Sequence, residues 1–176
     1  ISAAPASEFE AIISSGLGLT GARGFIWQLA IGFDAAYAEL SIEDVFTDDA
    51  LSAIDTLLEE EACGAEFSQV AAEFMSAGFA TNPLDLPDWV ARLEENSPGN
   101  MVTPDPILLI QGEADMVVPY LLTNQLNETL CDVGNLVDYR LFPGFGHNDS
   151  TQMNMPLMLE WTAARFAGEP AATTCE

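Results

Sequence analysis

Residues 104–119 read Pro-Asp-Pro-Ile-Leu-Leu-Ile-Gln-Gly-Glu-Ala-Asp-Met-Val-Val-Pro, and this stretch constrains the fold more than any other. Ile107 to Ile110 form an unbroken apolar run, bounded by Pro106 and Gly112. A run that short reads as a strand buried on both faces, and strands covered on both faces belong to parallel sheets. A turn carrying Asp115 follows. Pro119 then suits the first turn of a helix, where its missing N–H costs nothing. A carboxylate is thereby placed at the C-terminal end of a buried strand, where open α/β sheets hold their sites. Downstream lies His147, the single histidine of the chain.

The rest of the chain divides around that strand. Residues 1–6 read as a strand end and turn. Residues 8–100 read as mainly helical: a turn or two at 8–15, an apolar helix over 23–39, a helix from Thr47 or Asp48 to Glu61, a helix over 65–77, and a short one from Trp89 to Glu95. Ser41 opens Ser-Ile-Glu-Asp, a capping-box pattern. Gly16, Gly18, Gly21 and Gly24 lack the spacing and the following Lys of a phosphate loop, and read as a loop or hinge. From 104 the pattern alternates: strand 107–111, helix 119–132, strand 136–142, helix 151–167. That is the βαβα signature of a parallel sheet. The last helix is predicted to bury Leu157, Trp161 and Ala164, with Met153, Met155 and Met158 as core filler. Residues 169–176 form a small polar tail.

Composition narrows the partners. The 176 residues are 49% hydrophobic, enough for a packed core. Asp and Glu number 28 against 4 Lys plus Arg, a net charge of −24, and lysine is absent. Phosphate backbones and anionic bilayers are therefore poor partners. The acidity fits two origins: adaptation to high salt, where screening shortens self-repulsion, or a solvated surface that keeps an apolar protein in solution. No apolar stretch approaches the ~20 residues of a transmembrane helix. Cys63, Cys131 and Cys175 match no zinc spacing, and a single histidine argues against a Cys/His metal site. No cofactor motif is present.

Asp115 and His147 each follow a predicted strand, and a crossover helix plus one strand separates them. Their loops should meet at one edge of the sheet. An Asp that accepts a hydrogen bond from the histidine Nδ1–H fixes the tautomer and stabilises the imidazolium. Standing alone, a single Asp and a single His also fit a structural or solvated histidine. Glu113 reads as a solvated carboxylate beside Asp115.

The wording around the pair is more specific. Gln111 to Pro119 resembles the acid turn of α/β-hydrolases, and Tyr139-Arg140-Leu141-Phe142-Pro143-Gly144-Phe145-Gly146-His147 resembles their histidine turn, in the same acid-before-histidine order. With Ala3-Ala4-Pro5-Ala6, Cys63 and Leu130-Cys131, the chain resembles the secretory lipase family, which takes in the fungal lipase A type and actinobacterial relatives. The resemblance implies the C-terminal part of an α/β-hydrolase sheet with a helical cap insertion: residues 1–7 as a strand end, 8–100 as cap, 101–168 as hydrolase core. It implies a secreted, extracellular ester hydrolase acting on lipid or other apolar esters, with Asp115 and His147 catalytic.

That family also carries a serine nucleophile in a Gly-x-Ser-x-Gly elbow, which this sequence lacks. The resemblance thus implies that the nucleophile and the oxyanion hole belong to an upstream half of the same enzyme, a fragment or nicked partner, without which this chain is inactive. It further implies a cap surface that binds the acyl chain. Phe25, Trp27 and Phe145 are candidates for substrate contact, although ordinary packing also accounts for them. Disulfides are common in the family; Cys131 with Cys175 is the pairing favoured, Cys63 with Cys131 the competing one. Two other functions stay open: a serine peptidase of the prolyl oligopeptidase type, and a non-catalytic interaction module on the same scaffold.

Overall fold

A computed structural model describes residues 1–16 and 23–175, in two units: Phe9–Asn96, and Ile1–Glu8 together with Ser97–Glu176. The first is helical. Its α-helices are α1 (Phe9–Gly16), α2 (Arg23–Ala36), α3 (Asp48–Glu59), α4 (Gly64–Phe74) and α5 (Pro87–Asn96). Thr47 caps α3, its Oγ1 accepting from Ala50 N–H at 3.4 Å, and Asp48 and Asp49 place negative charge where the helix dipole favours it. The other end stops at Glu59 rather than Glu61. Three glutamates in a row oppose the dipole there, and Glu61 turns out of the helix at φ +53°. Ser41 caps only a single 3-10 turn, Ile42–Asp44.

The core of this unit forms around Trp27, which is 0% exposed and lies 5.3 Å from Phe46 and 5.4 Å from Phe74 between ring centroids. Ile26, Val45, Ala50, Ile54, Phe67, Ala71 and Leu93 close it. The helix predicted over 23–39 ends at Ala36, and the chain turns to bury Leu40. The helix predicted over 65–77 ends at Phe74 and passes into a 3-10 turn, Met75–Gly78. Of the four glycines read as a hinge, Gly18 and Gly21 lie outside the described residues and Gly16 closes α1. Gly24 is a packing residue instead. A Cβ there would meet the Ser68 Cα at 2.5 Å, so its smallness lets α2 approach α4.

The second unit holds the sheet. Strands β1 (Ser2–Ala3), β2 (Ile107–Gly112) and β3 (Val137–Phe142) lie parallel in that order. Leu108, Leu109 and Ile110 are fully buried, as an apolar run in a central parallel strand requires. Helix α6 (Tyr120–Asp132) makes the crossover from β2 to β3. It packs Leu126 and Leu130 on Leu109 and Val137. Pro119 stands at its N-cap rather than inside its first turn, because its ψ of 131° is extended.

Two predicted features of the C-terminal region are corrected. The helix expected over 151–167 is two helices, α7 (His147–Gln152) and α8 (Met155–Phe166). Pro156 cannot donate into a continuing helix, but it fits the first turn of a new one. Leu157, Trp161 and Ala164 are half-buried, not core; with Asp138, Arg140 and Arg165 they line a cavity of about 310 Å³. Met153 and Met155 are exposed, so they do not fill the core. The tail runs along the outer edge of β3. Thr174 N–H donates to Val137 O at 2.7 Å, and Tyr139 N–H donates to Thr174 Oγ1 at 3.1 Å. A disulfide joins Cys131 to Cys175, and Cys63 is free and exposed.

Candidate active site

Because β2 and β3 are adjacent and parallel, with Gly112 opposite Phe142, the turns that follow them emerge side by side. The β2 turn carries Asp115, whose N–H donates to Gly112 O at 3.3 Å. The β3 turn has Pro143 and Gly144 at its centre and closes by Phe145 N–H onto Phe142 O at 3.3 Å. It delivers His147 as the first residue of α7. Two backbone bonds lace the turns together: Glu113 N–H to Phe142 O and Ala114 N–H to Phe145 O, each 3.0 Å. Gly112 permits that approach, since a Cβ there would stand 2.2 Å from the Phe145 oxygen.

The two predicted residues meet. His147 Nδ1 lies 2.9 Å from Asp115 Oδ2. The Asp115 side chain is fully enclosed, whereas the imidazole is 35% exposed. Burial alone would push the Asp115 carboxyl up. The Val118 N–H, His147, the Val117 N–H and the Gln111 amide all bond it, outweigh burial, and hold it below the usual carboxylate range. The charged form is therefore the resident one, and an ionised carboxylate only accepts. Nδ1 must then be the donor, which leaves Nε2 free to take a proton.

The other candidates divide. Phe145 is half-buried beside His147 and stacks on Phe142 at 5.3 Å. Phe25 is 40% exposed in the helical unit. Trp27 is enclosed in the core of that unit and offers no surface to a ligand, because its ring is spent on packing with Phe46 and Phe74. Three supporting residues escaped the sequence reading: Gln111, Gly112 and Thr123. One signal was there for Gln111, since a polar side chain ending a strand buried on both faces must find partners. Among the described residues, no group of three or more His, Cys, Asp or Glu is placed to hold a metal ion. No helix of these residues is long and apolar enough to cross a membrane.

Three parallel strands with helices make the fold α/β, and the turns after neighbouring strands bring Asp115 and His147 together in the chain order in which α/β-hydrolases carry acid and base. Residues 88–174 match the model of the secretory lipase family. The fold is similar to the X-ray structure of Candida antarctica lipase A in its closed state, with a TM-score of 0.76 at 15% identity over 97% of this chain and 42% of that one. A second Candida antarctica lipase A structure gives 0.75 at 17% identity, over 98% and 41%. The chain thus spans about two-fifths of the length of these lipases, 42% and 41%. Comparison with curated proteins returns no significant match.

Proposed function

We propose that Asp115 and His147 are the acid and the base of a serine ester hydrolase whose nucleophile and oxyanion donors lie on a segment outside these residues. The observation that carries this reading is the enclosed Asp115 carboxylate bonded at 2.9 Å to the Nδ1 of a partly open imidazole. In the reaction, His147 Nε2 takes the serine proton as the hydroxyl attacks the ester carbonyl. Asp115 stabilises the imidazolium, and His147 then returns the proton to the departing alkoxide. Water repeats the sequence on the acyl-enzyme. Lipid or other apolar esters suit the site, because Met116, Val117 and Leu121 are exposed close in sequence to the acid. The match of residues 88–174 to the secretory lipase family and the disulfide support an extracellular protein. Within this reading the helical unit is the cap expected from the sequence, with Phe25 as its surface for the acyl chain.

The test is hydrolysis of p-nitrophenyl esters by the complete protein, nucleophile segment included. His147→Ala should lower kcat by about 10⁴-fold or more. The 176 residues alone should be inactive. Activity within tenfold of the parent in His147→Ala sinks the reading.

A further inference from the structure

We infer that Gln111 is a positioning residue for the acid–base pair, fixing which Asp115 oxygen faces His147, and that Thr123 sets the orientation of its amide. The inference rests on the reading of Asp115 and His147 as acid and base, and it starts from an anomaly in β2. Gln111 is fully buried, directly after three fully buried apolar residues. Packing alone favours another apolar side chain there, because an enclosed amide is costly unless every polar atom is bonded.

Every polar atom is bonded. Gln111 Nε2 points at three acceptors: Asp115 Oδ2 at 2.9 Å, Val118 O at 3.1 Å and Gly112 O at 3.2 Å. Its Oε1 accepts from Thr123 Oγ1 at 2.8 Å, and Thr123 is itself fully buried. The orientation is over-determined. Turned over, the amide would set its oxygen against two carbonyls and a carboxylate, and would face the Thr123 hydroxyl with hydrogens.

The consequence falls on Asp115. Its Oδ1 accepts from Val117 N–H at 2.8 Å and Val118 N–H at 2.9 Å. Its Oδ2 accepts from Gln111 and from His147. Four donors saturate a carboxylate. The backbone pair alone holds one oxygen. Gln111 stops the group from swinging about that anchor, and leaves Oδ2 one open direction, the one Nδ1–H occupies. Thr123, Gln111, Asp115 and His147 therefore form one chain of bonds from the first turn of α6 to the imidazole.

His147 is the only histidine, so its ring nitrogens can be read without assignment in the ¹⁵N-histidine-labelled 176-residue chain. The variants are Thr123→Val, and Gln111→Leu combined with Thr123→Val, which strands no hydroxyl. At a pH that holds the imidazole neutral, the parent should be mainly the Nδ1–H tautomer with a slowly exchanging Nδ1 proton. The double variant should lower the ratio of Nδ1–H to Nε2–H by about tenfold, the effect of losing a bond to a charged acceptor, and speed the exchange. Thr123→Val should shift both less. Methyl resonances of Leu109 and Leu126 report that the sheet is intact. A folded double variant with parental tautomer and exchange overturns the inference. If the double variant does not fold, an unchanged Thr123→Val overturns it equally. None of these readouts needs the nucleophile, so they stand or fall separately from the ester assay with His147→Ala.

Discussion

Gly112→Ala tests whether the two turns must touch. Gly112 ends β2 with an ordinary backbone conformation, so alanine brings no φ strain and the cost is steric. The new Cβ would sit 2.2 Å from Phe145 O, 2.7 Å from Phe145 C and 3.0 Å from Gly146 O, all backbone atoms with no rotamer to yield. Relief needs the histidine turn to back away by roughly 0.8 Å, since protein Cβ contacts essentially never fall below 3.0 Å. The Ala114 N–H to Phe145 O bond is stretched first, with Glu113 N–H to Phe142 O beside it. Two weakened bonds at about 1 kcal/mol each, plus overpacking of about 1–3 kcal/mol, give a loss of about 3–5 kcal/mol. Urea unfolding of the chain reads this as a lower midpoint at unchanged slope. On the proposed hydrolase reading, displacement of His147 by a large fraction of an ångström should lower kcat about 10²-fold. A variant within about 0.5 kcal/mol of the parent, with parental kcat, refutes the claim that close approach of the turns sets the pair.

Three further outcomes follow from the same structure. Cys175→Ser opens a loop spanning 44 residues and frees the tail from β3, so urea unfolding should show a loss of about 4 kcal/mol; no change would show that the tail holds without its bridge. Asp115 is held below its ordinary value, so its contribution is complete above the unfolded-state value of about 3.9 and is lost only as pH falls through the lower folded value. Asp115→Asn should therefore be less stable than the parent near neutrality, with the gap closing in strong acid, and a pH-independent gap contradicts the charge argument. With a net charge of −24, raising NaCl from ~0.1 to ~1 M, which shortens the screening length from ~10 to ~3 Å, should raise Tm by several degrees; a flat or falling Tm removes self-repulsion as a factor.

The features legible in the sequence were those set by local pattern. The run from Ile107 to Ile110 could be little else than a doubly buried strand, and βα alternation after it fixed a parallel sheet with adjacent strands. The lost details depend on partners distant in sequence. Trp27 reads from the sequence as a possible ligand surface, because periodicity cannot distinguish an aromatic facing Phe46 and Phe74 from one facing a substrate. The break at Met153 and Asn154 was signalled by Pro156, but the apolar spacing across Leu157 and Trp161 outweighed it. That same spacing promised a buried face, whereas Trp161 makes a polar contact, its Nε1–H donating to Asp138 Oδ2 at 3.1 Å on the wall of a cavity.

The pair itself has a property the sequence could not show. The bonds described for Asp115 and its turn come from the sheet unit: the Val117 and Val118 amides, the Gln111 amide, and the backbone bonds that lace the two turns. A site held by neighbouring strands and their own turns loses little freedom when a reaction partner arrives, because its entropy was already spent in folding. The geometry of the Asp115–His147 pair is thus a consequence of how β2 and β3 end.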